Sequence, residues 1–378
     1  MWINEIELRN KILDAIKSQG FSINPHLKPI NNEKDTLKLI HSQKRMEKIL
    51  HHKKSLIKYS KNAMKYAISG KDIDPTNINL KLIEIKPESE YSKIFFWWNL
   101  IWWSIPYENP IGRTMRYIVW DSHHNAPFGI FYLQSPTLRS SIRDKYLQLD
   151  KNNITYWINQ SMYGQRIGAL PPYNELLGGK MVALSLVSNE VRGAYRKKYE
   201  GKKTILEEKV LPPNLLFIST TSAYGKSSVY ERIYYNNEKV SEFIGYTSGS
   251  GTFHLPEELY KDCLVFLNQN GINTKRGYGT GPSRKLKLIG QALRYLGLPN
   301  YSYHNIKRGY YIFSNAKNLH DVIKKDESPL WYDRPFEELS KYWIERWCIP
   351  RSERNKKWKS FDSKEFINKT NEEIMGFE

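Results

Sequence analysis

Apolar residues recur at helical spacing toward both ends of the chain and alternate only in short runs between them. Leu8, Ile12, Ala15 and Ile16 share one face over residues 4–19, with Asn4 placed to cap that helix and Gly20 to stop it. Leu37 and Ile40 start a second stripe after Asn32 or Asp35, and helix continues through residues 44–66 until Gly70 and Pro75 break it. Alternation over 79–85 predicts a short strand. The aromatic run 94–106 predicts a buried helix, too short to cross a bilayer and ended by Pro106. Residues 115–121 and 128–134, joined by a turn over 122–127, predict a β-hairpin.

Further along, residues 153–162 read as helix. After Pro171 and Pro172, a helix from about Asn174 to Ala194 is apolar nearly all round and should be buried. Residues 215–219 form a short buried strand feeding a polar loop, and 227–234 a short helix. An amphipathic helix covers 257–269, a strand 309–313, and a Trp- and Tyr-rich helix 339–347. Residues 351–359 read as a basic, loose tail. The fold class is therefore α/β (α+β), a mixed-sheet core with helical N-terminal and C-terminal regions. The expected division is a basic helical region at 1–75, an α/β domain at 76–255 and a basic region at 256–378. At 378 residues the chain exceeds one small core.

Charge changes this picture. Lys and Arg number 58 against 39 Asp and Glu, a net charge of +19 that favours a polyanionic partner, DNA first. Lys44, Arg45, Lys48, Lys53, Lys54, Lys58, Lys61 and Lys65 spread round the second helix, as either a solvated surface or one that tracks phosphates. Two distant cysteines, Cys263 and Cys348, make neither a disulfide framework nor a zinc cluster and fit a reducing cytosol. The charged opening Met1-Trp-Ile-Asn-Glu-Ile-Glu is unlike a signal peptide, so the expected location is cytoplasmic, with no membrane partner.

Candidate chemistry concentrates in residues 168–254, where hydroxyls, glycines and charges stand between apolar runs. Gly178-Gly179-Lys180 lacks the spacing and the Ser or Thr of a phosphate loop, so its glycines read as packing devices. Lys180 is anomalous on an apolar helix and calls for an acidic or phosphate partner. A strand end feeding a helix start, with Ser222, Tyr224, Ser227, Ser228, Tyr230 and Arg232, could bind an anion, or Ser227 could simply cap the helix. His254 could act as a general base, and Tyr173, Tyr224 or Tyr230 as a nucleophile. Catalytic candidates are thus His254, Tyr230, Lys180 and Arg232. The loop and helix carrying Arg276, Arg284, Lys285 and Lys287 give the best nucleic-acid signal, with Tyr278, Tyr301, Tyr303, Tyr310 and Tyr311 either stacking on bases or standing at core edges. Asp121, Arg143, Asp144, Tyr173 and Asn174 complete the candidates, the Arg143–Asp144 pair reading first as a structural salt bridge. His123 and His124 sit on a turn and read as solvent-exposed rather than metal-binding. DNA processing would call on a divalent metal ion as cofactor, but no spacing here identifies its ligands.

Several motifs in order carry a family resemblance. Pro171-Pro-Tyr-Asn-Glu-Leu-Leu-Gly-Gly-Lys180, the block 220–230, Gly245-Tyr-Thr-Ser-Gly-Ser-Gly-Thr-Phe-His254, Tyr332-Asp-Arg-Pro-Phe336, Tyr342-Trp-Ile-Glu-Arg-Trp347 and Pro350-Arg-Ser-Glu-Arg354 resemble the DruA family of the bacterial Druantia anti-phage system. Arg116-Tyr-Ile-Val-Trp-Asp121 and Arg143-Asp144 extend the resemblance. It implies a defence protein acting beside a large helicase. It departs at Lys145-Tyr-Leu-Gln-Leu149, where such proteins often carry an Ile-Gly-Trp-like run. More loosely, the order hairpin, strand, glycine-containing helix, strand, short helix is similar to N-acyltransferases, with Gln165-Arg-Ile-Gly-Ala169 near the place of their pyrophosphate turn. Three readings follow: a DNA-binding defence protein that nicks or remodels DNA, an acyl-coenzyme A-dependent enzyme, and a non-catalytic DNA-binding adaptor.

Overall fold

The computed structural model describes residues 2–23, 27–31, 33–105, 112–205, 207–249, 255–275, 284–298 and 303–377. The chain forms two compact units, one from residues 1–48, 104–106 and 246–308, the other from 49–103, 107–245 and 309–378.

The first unit is largely helical. In helix Glu5–Ser18 the Asn4 Oδ1 accepts the Glu7 N–H at 3.1 Å, and Leu8, Ile12 and Ile16 are buried, as their spacing predicts. Strands β1 (Phe21–Ser22) and β2 (Lys28–Pro29) pair as a small antiparallel ribbon. Helix Glu257–Gln269 buries Leu259, Cys263, Phe266 and Leu267, and helix Arg284–Tyr295 buries Leu288, Ile289, Ala292 and Leu293. The Ile3 N–H donates to Gln269 Oε1 at 2.8 Å, so early and late stretches of the chain meet here.

The second unit is built on a seven-stranded sheet. Its strands are β3 (Leu80–Glu84), β4 (Thr114–Asp121), β5 (Ala126–Gln134), β6 (Ser161–Ala169) and β7 (Phe217–Thr221). A separate hairpin follows, β8 (Tyr234–Tyr235) with β9 (Glu238–Lys239), before the sheet resumes with β10 (Ser241–Tyr246) and β11 (Gly309–Ser314). The sheet order is β10-β11-β7-β6-β5-β4-β3. From β3 to β6 the strands form an antiparallel meander, β6 and β7 are parallel, and β11 returns antiparallel to β7. The parallel step needs a crossover, which residues 170–216 supply with helices Gly178–Ser185 and Asn189–Tyr199. After the hairpin the chain runs through β6, the glycine-opened helix Gly178–Ser185, helix Asn189–Tyr199, β7 and the short helix Ser228–Glu231.

Side chains alternate across the sheet with period two. Tyr117 and Val119 enter one core with Met181, Val182, Leu339 and Trp343, under helices Gly178–Ser185 and Phe336–Trp343. Ile118 and Trp120 enter the opposite one with Trp97, Trp98, Ile367 and Ile374, under helices Lys53–Lys65, Glu90–Trp102 and Ser363–Gly376. That second face carries another apolar cluster farther along the sheet, where Phe217, Tyr310 and Ile312 meet helices Ile154–Ile158 and Leu319–Lys325.

Four local expectations are corrected. Residues 153–162 hold only a short helix, after which the chain enters β6, whose alternation is interrupted by a bulge opposite Ile130 and Tyr132 and by Arg166 at φ 56. The long helix expected over 174–194 is a 3-10 turn, Tyr173–Leu176, and two helices. Ser188 separates the helices and caps the second, accepting from the Val191 N–H at 3.3 Å. The tail is not loose: Trp358 is buried, and Asp362 caps the terminal helix. His124 is not solvent-exposed, its side chain being 7% accessible.

Candidate functional site

Two polar centres of opposite character lie in the second unit. The first surrounds Asp121 at the end of β4. This carboxylate is fully buried and accepts from the backbone N–H groups of Asn79 (3.2 Å) and His123 (3.1 Å), and from the Tyr173 hydroxyl (2.9 Å). The His124 ring completes it, its Nδ1 lying 2.6 Å from Asp121 Oδ2. His124 Nε2 accepts the Asp74 N–H at 3.0 Å, so Nδ1 carries the proton. Burial first, then the Asp121 charge, pushes the Tyr173 phenol well above its ordinary pKa. Every donor and acceptor is used, so Asp121 and Tyr173 read as structure. Asn174 stands exposed beside them, its N–H bonded to the Leu170 carbonyl.

Arg143 and Asp144 form a second satisfied network. The buried Arg143 guanidinium donates to Asp144 Oδ1 at 2.6 Å and to the carbonyls of Thr137 (2.8 Å) and Leu138 (3.0 Å). Asp144 Oδ2 accepts the Ser140 N–H at 3.0 Å, so the pair clamps its own loop. Asp121 and Asp144 thus belong to different networks. Among the described residues no group of three His, Cys, Asp or Glu side chains could hold a metal ion.

In the central block most hydroxyls are also engaged. Ser222 Oγ accepts the Gly309 N–H at 2.9 Å and donates to the Gly225 carbonyl. Ser227 caps helix Ser228–Glu231 by accepting the Tyr230 N–H at 3.4 Å, and its own N–H donates to the Tyr311 hydroxyl. Tyr224 is half-buried and Ser228 exposed. Tyr230 is buried against Tyr311 and Phe313, and burial holds its phenol protonated, far from nucleophilic use.

Lys180 marks the other polar centre. Gly178 opens its helix because a Cβ there would meet Ala169 and the Tyr173 carbonyl at 2.7 Å. Close packing carries Lys180 to the helix start, where its ammonium donates to the Arg232 carbonyl and lies 4.5 Å over the Trp347 ring. Burial, then the charges of Arg232 and Arg346, lower the Lys180 pKa. Arg232 and Arg346 are exposed, and none of these three cations has a carboxylate within ion-pair distance among the described residues. Their neighbour Lys226, by contrast, is paired with Glu231 at 3.2 Å. The segment bearing Arg346 and Trp347 is a π-helical turn, Ile344–Cys348, just before Pro350, whose missing N–H and bulky ring disfavour a regular helix there. The same segment covers the start of helix Gly178–Ser185: Trp343 Nε1 donates to the Leu177 carbonyl at 3.1 Å and Arg351 Nε to the Glu175 carbonyl at 3.2 Å. Arg346 and Trp347 carry no role in the sequence reading, although their motif stands out in it.

A polar strip on the second sheet face is also invisible to spacing rules. Gln134, Tyr163, Gln165, Ser219 and Thr221 lie between the two apolar clusters on that face. Tyr163 and Thr221 hydroxyls are 2.7 Å apart, while Gln134 Oε1, Gln165 Oε1 and Ser219 Oγ are buried without a hydrogen-bond partner among the described residues. The β6–β7 ladder ends at Gly164 and Thr220, leaving Gln165–Ala169 paired only on the β5 side.

In the first unit Lys285 is paired with Glu257 at 3.0 Å and lies over Tyr260, while Arg284 and Lys287 are exposed. Tyr303 is exposed, whereas Tyr310 and Tyr311 of β11, in the second unit, are core residues. His254, Arg276, Tyr278 and Tyr301 lie outside the described residues.

Fold and site together describe a mixed α/β protein with an unpaired cationic patch beside its central sheet. The sequence model described as Druantia protein DruA matches residues 31–325, and the chain belongs to that family. It is similar to the Druantia protein DruA of Escherichia coli (strain UMEA 4076-1), 30% identical over 376 residues that cover 97% of this chain and 93% of that protein. No solved structure matches. The chain is thus a Druantia defence component. None of its described helices is long and apolar enough to cross a membrane.

Proposed function

We propose that this Druantia component binds DNA, with Lys180, Arg232 and Arg346 contacting phosphates and Trp347 offering a ring face beside them. One observation carries the reading: three clustered cations, one of them partly desolvated, without a carboxylate at ion-pair distance among the described residues. Like charges held together cost free energy, and a phosphate would relieve that cost. The role is binding, in support of a helicase of the same system, rather than nicking. Tyr230, the hydroxyl named for catalysis, is spent on core packing, and the phosphate-site candidates Ser227 and Ser222 on a helix cap and a turn. Fluorescence anisotropy with single-stranded and duplex DNA across a salt series tests it. Binding that weakens steeply with salt supports the reading, and no binding near physiological salt removes it.

A second reading, an acyl-coenzyme A-dependent enzyme, draws on the polar strip, where unpartnered Gln134, Gln165 and Ser219 could receive a small polar ligand. Against it, the helix start that would hold a pyrophosphate is covered by Trp343 and Trp347. Calorimetry with millimolar coenzyme A decides: saturable heat revives this reading, and its absence ends it.

A further inference from the structure

A concave basic site lies away from the Lys180 patch, between helices Lys53–Lys65 and Glu90–Trp102. Its walls are Lys58, Tyr59, Lys61, Asn62 and Lys93, around a half-open recess of about 300 Å³. Two helices packed through apolar side chains hold it open: Leu56 and Ala63 of one and Ile94 and Trp97 of the other are buried in the same core. Tyr59 is half-buried, with its ring edge-on to Phe96 at 5.5 Å.

Two other lysines of helix Lys53–Lys65 are engaged elsewhere. Lys65 is paired with Glu90 at 3.0 Å, and Lys53 donates to the Met375 carbonyl at 3.1 Å and to that of Phe377. Lys58, Lys61 and Lys93 have no carboxylate within ion-pair distance among the described residues. Lys58 and Lys61 are exposed and Lys93 is half-buried, so their ammonium groups ring a recess that solvent can reach. Asn62 reaches Glu90 Oε1 at 3.5 Å through its amide nitrogen, leaving the amide oxygen as an acceptor.

We propose that this recess binds a nucleoside phosphate, its phosphate held by Lys58, Lys61 and Lys93 and its base or sugar facing Asn62 and Tyr59. The size suits a small ligand, at the lower end of the usual range of roughly 300–1,000 Å³. Three cations match the charge of a phosphate group or chain, and an amide beside a phenol adds the directional hydrogen bonding that a bare polyphosphate does not need. The same chemistry is available from a free nucleotide or from one residue of a DNA strand.

The test uses the full chain, with dATP, inorganic pyrophosphate and a 5′-phosphorylated single-stranded oligonucleotide as probes in calorimetry. Three proteins are compared: the unaltered chain, the Lys58→Gln, Lys61→Gln, Lys93→Gln triple variant, and the Arg232→Ala, Arg346→Ala double variant. Unchanged circular dichroism shows that each variant folds. The expected result is saturable dATP binding that falls at least tenfold in the triple variant, persists in the double variant and exceeds that of pyrophosphate. Loss of oligonucleotide affinity in the triple variant without dATP binding would assign the site to a strand residue. If a folded triple variant binds dATP and oligonucleotide as the unaltered chain does, or the unaltered chain binds no probe, the proposal is overturned. Because the double variant carries the DNA-binding reading, either can fail alone.

Discussion

The Asp121 network and the Lys180 patch are both made of polar groups partly or wholly removed from water, yet they are built in opposite ways. Around Asp121 each donor finds its acceptor: three backbone amides, a phenol and an imidazole converge on one carboxylate. Around Lys180 charges of one sign meet, and the acceptor is a neutral carbonyl. Burial alone therefore does not mark function here. A buried polar group with a complete set of partners holds the fold, whereas a group short of its counter-charge points to a ligand.

Removing the centre of the satisfied network has the largest expected effect. Asp121→Ala strands the His124 N–H, the Tyr173 hydroxyl and backbone amides in the interior, and should cost more than about 3 kcal/mol in urea unfolding. A loss below about 1 kcal/mol would show the network to be dispensable and erase the contrast.

His41 offers an intermediate case, a partly buried imidazole among cations. Burial, then Arg308, His304 and Lys44, lower its pKa from 6.5 to about 3. The unfolded chain then binds the proton more tightly, so this contribution to stability is present above pH 6.5 and is lost as pH falls toward 3. Between pH 7 and pH 5 the loss is roughly 2 kcal/mol. His41→Gln should remove that much of the pH dependence of unfolding, and an unchanged profile would refute the assignment.

Arg232→Ala with Arg346→Ala should leave unfolding within about 0.5 kcal/mol of the unaltered protein. It should weaken DNA binding about tenfold near physiological salt and flatten the log K against log salt slope by about two. A stability loss with an unchanged slope would place these arginines with the Asp121 type of residue. Ser227→Ala gives the smallest effect, at most about 1 kcal/mol for a lost helix cap. If it instead weakens DNA binding severalfold at an unchanged salt slope, as loss of a neutral phosphate contact would, Ser227 belongs to the ligand surface.

Much of the fold is legible where one physical rule governs a segment. The 3.6-residue period of Leu8, Ile12 and Ile16 and the alternation through Tyr117, Ile118, Val119 and Trp120 both survive into the structure. Strand β6 was not legible, because Gly164, Gly168 and the Arg166 bulge interrupt its alternation and its pairing comes from distant strands. The tail misled through its charge: Lys356, Lys357 and Lys359 suggest solvent, while Trp358 between them anchors the segment. At the site, Lys180 announced itself as a cation on an apolar helix. Its companions did not, since Arg346 and Trp347 reach it from far along the chain.

The composition of the first unit has a consequence for how the protein is made. Its opening helix buries Leu8, Ile12 and Ile16, and the Ile3 backbone is tied to Gln269. Residues 1–48 leave the ribosome before the other unit's strands, but residues 246–308 of the same unit follow only after most of those strands have been synthesised. For that interval an apolar helical stripe waits without its late partners, the kind of surface on which nascent chains associate with one another or with chaperones. The order of translation thus favours completion of β3 to β7 first, with the other unit assembled around its oldest segment near the end.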